Sequence, residues 1–287
     1  MSDRDRIGGL VPKVTVVFKE LGCGFKCPFC DVWANDASDA PPDLTELSDA
    51  VQTLLEGQKQ QDVLECVLSG PEPLASPVFF KVLAAARRLG YANIRLNTNG
   101  IRLADRALTQ QLARCGIRGV DIPVYGSNAK LHDRMTGMAG SFILLMKAID
   151  NLRNCPGIRI EVVHTVILKQ NLRDLSKLCA RTKDLGLPKL EIWMPFARPS
   201  ANELSRLRDI CPSLTDVGKA LRRIPSEFYR FLGMPLCLCP PQVPLGVSLR
   251  GFQYARKCQG CTMRAACVGV RESYLLLYGD KELRPFR

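Results

Sequence analysis

Three cysteines crowd the stretch "CGFKCPFC": Cys23, Cys27 and Cys30, with three and then two residues between them. A second group, Cys237, Cys239, Cys258, Cys261 and Cys267, lies toward the other end, where "CQGCTMRAACVG" has C-x2-C-x5-C spacing and "PLCLC" stands upstream. Thiolates at such spacing bind zinc or iron–sulfur clusters, or exchange as redox pairs. For the first group, a structural zinc site wants four protein ligands, commonly two CxxC pairs. A dithiol needs only Cys27 and Cys30 and leaves Cys23 without a task. A four-iron cluster held by three thiolates keeps one iron open for another ligand. In the second group, Cys258, Cys261 and Cys267 plus one upstream cysteine make four thiolates, and ligand counting alone leaves both zinc and a fully ligated 4Fe–4S cluster open.

The rest of the composition says where such thiols operate. The chain has 287 residues, enough for one α/β barrel-sized domain with a small appendage, and its 46% hydrophobic and 24% charged content is ordinary for a globular protein. No run approaches a membrane span and "MSDRDRIGGL" lacks the plan of a signal peptide, so a soluble, cytoplasmic protein is expected, with no membrane partner. In that reducing compartment 13 cysteines speak for metal ligation over disulfides. Cys66, Cys115, Cys155, Cys179 and Cys211 stand alone and read as mostly buried small hydrophobes. The formal charge of +12 favours polyanionic partners without choosing among them, because the basic residues are scattered.

Strand-like and helix-like runs alternate from residue 12 to about 196 and must position these groups. "KVTVVF" leads into the first cysteine loop. "DLTELSDAVQTLLEG" reads as a helix, with Asp43 and Glu46 as a capping box. "VLECVLSG", "NIRLNTNG", "VDIPVYG", "IRIEVVHTVIL" and "LEIWMPF" follow as strands, separated by helical runs. Six strand–helix steps predict an α/β fold with a parallel sheet, either wound or a complete or partial barrel. The polar motifs fall where strands end: the cysteine loop after the first, "SGPEP" after the second, "NTNG" after the third. That edge is where parallel α/β folds seat ligands. A helical stretch near 212 to 232 and the Pro-rich "GMPLCLCPPQVPLG" mark a change of character. Residues 1–11 form a lead-in, 12–210 the main domain and 211–287 a helix plus cysteine-rich extension.

CxxxCxxC after the first strand, with the other two motifs at successive strand ends, resembles the radical S-adenosylmethionine (SAM) superfamily. The resemblance implies a partial (β/α)6 TIM-like barrel and a 4Fe–4S cluster on Cys23, Cys27 and Cys30, whose open iron binds SAM. It also implies reductive cleavage of SAM to a 5'-deoxyadenosyl radical that abstracts hydrogen from substrate, the electron coming from a flavodoxin- or ferredoxin-type donor. Phe29 matches the aromatic position beside adenine, and Gly70 and Glu72 of "SGPEP" match the family's GGEP motif, which receives the SAM amino group. Pro71 stands where the second glycine would be, removing one backbone donor. Thr98 and Asn99 match a SAM-contacting segment, and "LHDRMTG" followed by "GSF" resembles a stretch of the peptide-modifying and cofactor-building branches.

The second cysteine group resembles the twitch or SPASM extension. It implies one auxiliary 4Fe–4S cluster on Cys237, Cys258, Cys261 and Cys267, with Cys239 the alternative fourth ligand and zinc the alternative metal. The function this implies is modification of a ribosomally made peptide or protein, although the short segment before Cys23 is expected to leave no room for a leader-binding domain. Two alternatives stand beside it: radical modification of a nucleotide, RNA base or cofactor precursor, and a non-catalytic metal-binding interaction protein. His132 and His164, the two histidines, read as structural. Tyr125 and Arg198 follow the fourth and sixth strands without an assigned role, and no catalytic side chain is named.

Overall fold

A computed structural model describes residues 13–19, 22–30, 44–60, 65–195, 201–238 and 251–287. The α/β class expected from the alternation is the one observed. Seven strands follow one another in chain order in one sheet: β1 (Lys13–Val17), β2 (Glu65–Ser69), β3 (Asn93–Asn97), β4 (Ile117–Pro123), β5 (Arg159–Val166), β6 (Leu190–Trp193) and β7 (Tyr229–Leu232). The ladders β1 to β4 and β5 to β7 are parallel. Between the strands come α1 (Leu44–Gln58), α2 (Phe79–Arg88), α3 (Arg106–Cys115), α4 (Ala129–Thr136), α5 (Ser141–Arg153), α6 (Leu175–Asp184), α7 (Ala201–Ile210) and α8 (Leu214–Leu221). A two-stranded antiparallel ribbon, β8 (Phe252–Gln253) with β9 (Val270–Arg271), and α9 (Glu272–Tyr278) complete the chain. Among the described residues no helix is long and apolar enough to cross a membrane.

Two compact units are distinguished. The first comprises Met1–Gly24, Ala37–Pro123 and Ile143–Glu161; the second comprises Phe25–Asp36, Val124–Phe142 and Val162–Arg287. In the first, Val14 and Val16 of β1, Cys66 and Leu68 of β2, and Ile94 and Leu96 of β3 lie in register on one face of the sheet and are all buried. Phe79, Val82, Leu83 and Ala86 recur at helical spacing along α2 and are buried too. Truncating such a side chain, Leu83→Ala for instance, is worth about 2–5 kcal/mol. Side-chain caps start the next two helices. Asp105 accepts from the amides of Ala107 and Leu108 ahead of α3, and Asn128 accepts from Leu131 N ahead of α4. Asp43 lies outside the described residues.

Two elements differ from expectation. The helical stretch expected near 212 to 232 is α8 alone, capped by Ser213, whose side chain accepts from Asp216 N at 3.0 Å. Pro225 forbids continuation, and the chain re-enters the sheet as a seventh strand in which Tyr229 and Phe231 are buried and pair with β6. Four residues are too few for a period-two pattern to stand out. The residues after β4 also form a separate short helix, α4, which the sequence pattern does not set apart; it carries His132, 1% exposed. Of the lone cysteines, Cys66, Cys155, Cys179 and Cys211 are buried and Cys115 is half-buried. Burial pushes the Cys66, Cys179 and Cys211 thiols up to about 12, so they remain protonated and inert.

Candidate cluster and cofactor site

In the first unit, the ends of β2 and β3 are stitched together. "SGPEP" leaves β2 through Gly70, at φ +143°, where a Cβ would fall 2.3 Å from the carbonyl oxygen of Phe18. The Phe18 amide donates to Ser69 O at 2.8 Å, so Gly70 is required by close backbone approach as well as by conformation. Gly70→Ala is expected to cost about 3 kcal/mol and lower the thermal midpoint by roughly 5–10 °C in a calorimetric scan.

Glu72 turns its carboxylate inward and is 1% exposed. It accepts from Leu74 N at 3.1 Å, from the Thr98 hydroxyl at 2.7 Å and from Asn99 N at 2.8 Å. Burial raises the pKa of this carboxyl, against those hydrogen bonds and the charge of Arg102, which lower it. Asn99 in turn donates from Nδ2 to Cys23 O at 2.8 Å, with Nδ2 standing 3.5 Å from Cys23 Sγ. Four residues named from the sequence, Glu72, Thr98, Asn99 and Cys23, are thus one bonded set.

In the second unit, Cys30 N donates to Cys27 O at 3.1 Å, closing a turn, and Arg206 of α7 donates to Cys30 O at 2.5 Å. Phe29 packs edge-on to Tyr125, ring centroids 4.9 Å apart, and both Cys27 and Phe29 lie against the apolar cluster of Tyr125, Met135 and Leu168. The loop is anchored by Lys26 N, which donates to Thr136 O at 2.7 Å, beside Gly137, where a Cβ would lie 2.9 Å from Lys26 Cβ and 3.0 Å from its carbonyl oxygen. This gives "LHDRMTG…GSF" a physical task. The Asp133 carboxylate accepts from Gly140 N, Ser141 Oγ and Phe142 N at 2.7–2.9 Å, tying α4 to the start of α5. The sequence marks Asp133, Thr136 and Gly137 only through the motif's polar spacing and not through any ligand chemistry. Arg198 lies outside the described residues.

His132 behaves as the structural histidine expected. Its Nδ1 accepts from Tyr125 N at 3.2 Å, and its ring stands 5.8 Å from that of Tyr125 and 5.6 Å from that of Phe142. Burial pulls its pKa down to about 4, against the charge of Asp133, which raises it. The native state therefore refuses a proton that the unfolded chain accepts below its ordinary pKa near 6.5. The stability contribution is complete above pH 6.5 and is lost as pH falls toward 4. Between pH 7.5 and pH 5 the wild type should lose on the order of 2 kcal/mol through this group. Urea midpoints at the two pH values should converge more closely in His132→Asn. His164, on β5, is also pulled down to about 4 by burial and contributes in the same direction.

The C-terminal cysteines come together within the second unit. Cys237, Cys258, Cys261 and Cys267 line one pocket that is open to solvent on one side. Burial raises the pKa values of Cys237 and Cys258; Cys267 and Cys258 add to the effect at Cys237, and Cys267 and Cys261 at Cys258. Cys267 Sγ accepts from Leu236 N and Gly269 N, each at 3.4 Å. Gly269 has φ +83°, and a Cβ there would fall 2.6 Å from Gln253 O. No three Cys, His, Asp or Glu side chains among the described residues stand close enough to grip a single metal ion. The four thiols share the lining of one pocket. Cys239 lies outside the described residues.

A sequence profile described as the Radical SAM superfamily matches residues 21–181. The PqqA peptide cyclase of Gluconobacter oxydans is 27% identical over 172 residues, 59% of this chain and 46% of that protein. A probable GTP 3',8-cyclase of Saccharolobus islandicus is 19% identical over 188 residues, 66% of this chain and 58% of its own length. The chain thus spans about half the length of the curated relatives it matches. Among solved structures, anSMEcpe with bound AdoMet and a Kp18Cys peptide superposes with a TM-score of 0.52 at 15% identity, over 74% of this chain and 61% of that one, a similarity of fold.

Proposed function

Because the chain belongs to the radical SAM superfamily, we propose that it is an enzyme that cleaves SAM reductively and uses the product to modify a peptide or protein. The observation that carries this reading is the bonded set at the strand ends, in which two motif loops converge on Cys23. Cys23, Cys27 and Cys30 would hold a 4Fe–4S cluster, and Gly70, Thr98 and Phe29 would border the bound SAM. When bound, cluster and SAM supply a 5'-deoxyadenosyl radical for hydrogen abstraction. The chain's own residues do the rest. Lys26 and Thr136 fix the cysteine loop, Cys27 and Phe29 line an apolar wall that keeps water away, and Asn99 orients Cys23.

Residues 211–287 form the auxiliary segment in this reading, with a second 4Fe–4S cluster on Cys237, Cys258, Cys261 and Cys267. Their place in the lining of one pocket supports a common metal site, with zinc the alternative to the cluster. A peptide substrate is supported by the similarity to a peptide cyclase and to a fold that binds peptide beside AdoMet. A second reading, a nucleotide or RNA substrate, is favoured by the +12 charge and the similarity to a GTP cyclase. Anaerobically reconstituted protein, SAM and a flavodoxin- or ferredoxin-type donor should yield 5'-deoxyadenosine, and a peptide encoded beside this gene should change mass. Mass change in GTP or RNA alone would select the second reading. Absence of 5'-deoxyadenosine from a preparation carrying about eight irons per chain would leave only a non-catalytic metal-binding protein.

A further inference from the structure

The pattern of bonds around Glu72 and Asn99 assigns these two side chains a task other than touching SAM. Each oxygen of the buried Glu72 carboxylate is already engaged. Oε1 accepts from Leu74 N at 3.1 Å, Oε2 accepts from Asn99 N at 2.8 Å, and the Thr98 hydroxyl stands 2.7 Å from both. At 1% exposure an incoming ammonium finds no open carboxylate edge. The Asn99 amide is equally committed. Its Oδ1 accepts from Ile101 N at 3.0 Å while Nδ2 faces Cys23 O and Cys23 Sγ. Flipping the amide would set NH2 against the Ile101 N–H and oxygen against the Cys23 carbonyl, two repulsions, so the orientation follows from the bonds themselves.

We infer that Asn99 is a positioning residue for Cys23, locked by Glu72, and that its N–H stabilises negative charge on the Cys23 sulfur. This rests on the reading of Cys23 as a cluster ligand. All the residues involved belong to the first unit. A donor directed at a ligating sulfur favours the reduced, more negative form of a cluster and raises its potential, and such partners fix ligand orientation. Oriented by Glu72, Asn99 would pre-set Cys23 before SAM arrives. The acidic residue of the strand-end motif would then act through the cluster ligand, leaving the SAM amino group to backbone oxygens.

The test is a redox titration, followed by electron paramagnetic resonance, of the reconstituted protein without SAM. The signal that changes on SAM addition identifies the first cluster. Asn99→Asp is nearly isosteric and keeps the acceptor for Ile101 N, while Asn99→Ala removes the donor without adding charge. Both should move the SAM-free midpoint to more negative potential, Asp further than Ala. Glu72→Gln should move it in the same direction by less, with SAM affinity changed by under about threefold. Should Asn99→Asp prove unfolded in a thermal melt, the Ala and Gln variants carry the test. An unchanged SAM-free midpoint together with SAM binding weakened about tenfold or more would make Asn99 a SAM contact and overturn the inference while sparing the cluster. Wild-type protein that takes up no SAM-responsive cluster would instead sink the reading on which the inference rests.

Discussion

Cys27→Ala is expected to remove about four irons per chain and to lower 5'-deoxyadenosine formation by at least about 1,000-fold, about 4 kcal/mol of barrier. Two thiolates cannot hold a four-iron cage against exchange, and without the cage no open iron exists for SAM. The fold should survive. Cys27 is half-buried against the apolar cluster of Tyr125, Met135 and Leu168, and a methyl group keeps part of that contact. The thermal midpoint should therefore fall by no more than a few degrees. Cys66→Ala is the control: that thiol is fully buried and held protonated, so iron content and SAM cleavage should match the wild type. Iron analysis and chromatographic detection of 5'-deoxyadenosine decide the matter, and cleavage retained in Cys27→Ala would defeat the enzyme reading.

Cys267→Ala should give the second large effect and a different signature. About four irons should again be lost, while SAM cleavage persists and product formation on the peptide disappears. The Cys267 sulfur receives two backbone amides, from Leu236 and Gly269. Its removal strips those donors of a partner at a cost of about 1–3 kcal/mol, besides breaking the ligand set. The segment from β8 to α9 should then become the first site of limited proteolysis, because so small a ribbon has little core of its own apart from the metal. Comparing Cys237→Ala with Cys239→Ala identifies the fourth ligand: iron is lost in the first and kept in the second if the cavity residues are the ligands. One zinc per chain in place of the second set of irons would reassign the site.

The alternation of apolar strands with amphipathic helices sets the α/β class, and the order of cysteine loop, "SGPEP" and "NTNG" places the polar motifs at strand ends. Both are local signals: side-chain period and turn chemistry are written in consecutive residues. What each polar residue bonds is not local. Glu72 meets a hydroxyl 26 residues away and Asn99 a carbonyl 76 residues away. Nothing in "SGPEP" says that both oxygens of its acid are already hydrogen-bonded, or that the asparagine of "NTNG" faces a cysteine. The seventh strand escaped for the same reason, since a four-residue strand is defined by pairing with β6 and not by its own pattern. At the C-terminal site the sequence supplied the cysteines and their spacing; only tertiary packing made them the wall of one cavity, because thiols up to 30 residues apart along the chain meet only when the intervening backbone folds back on itself.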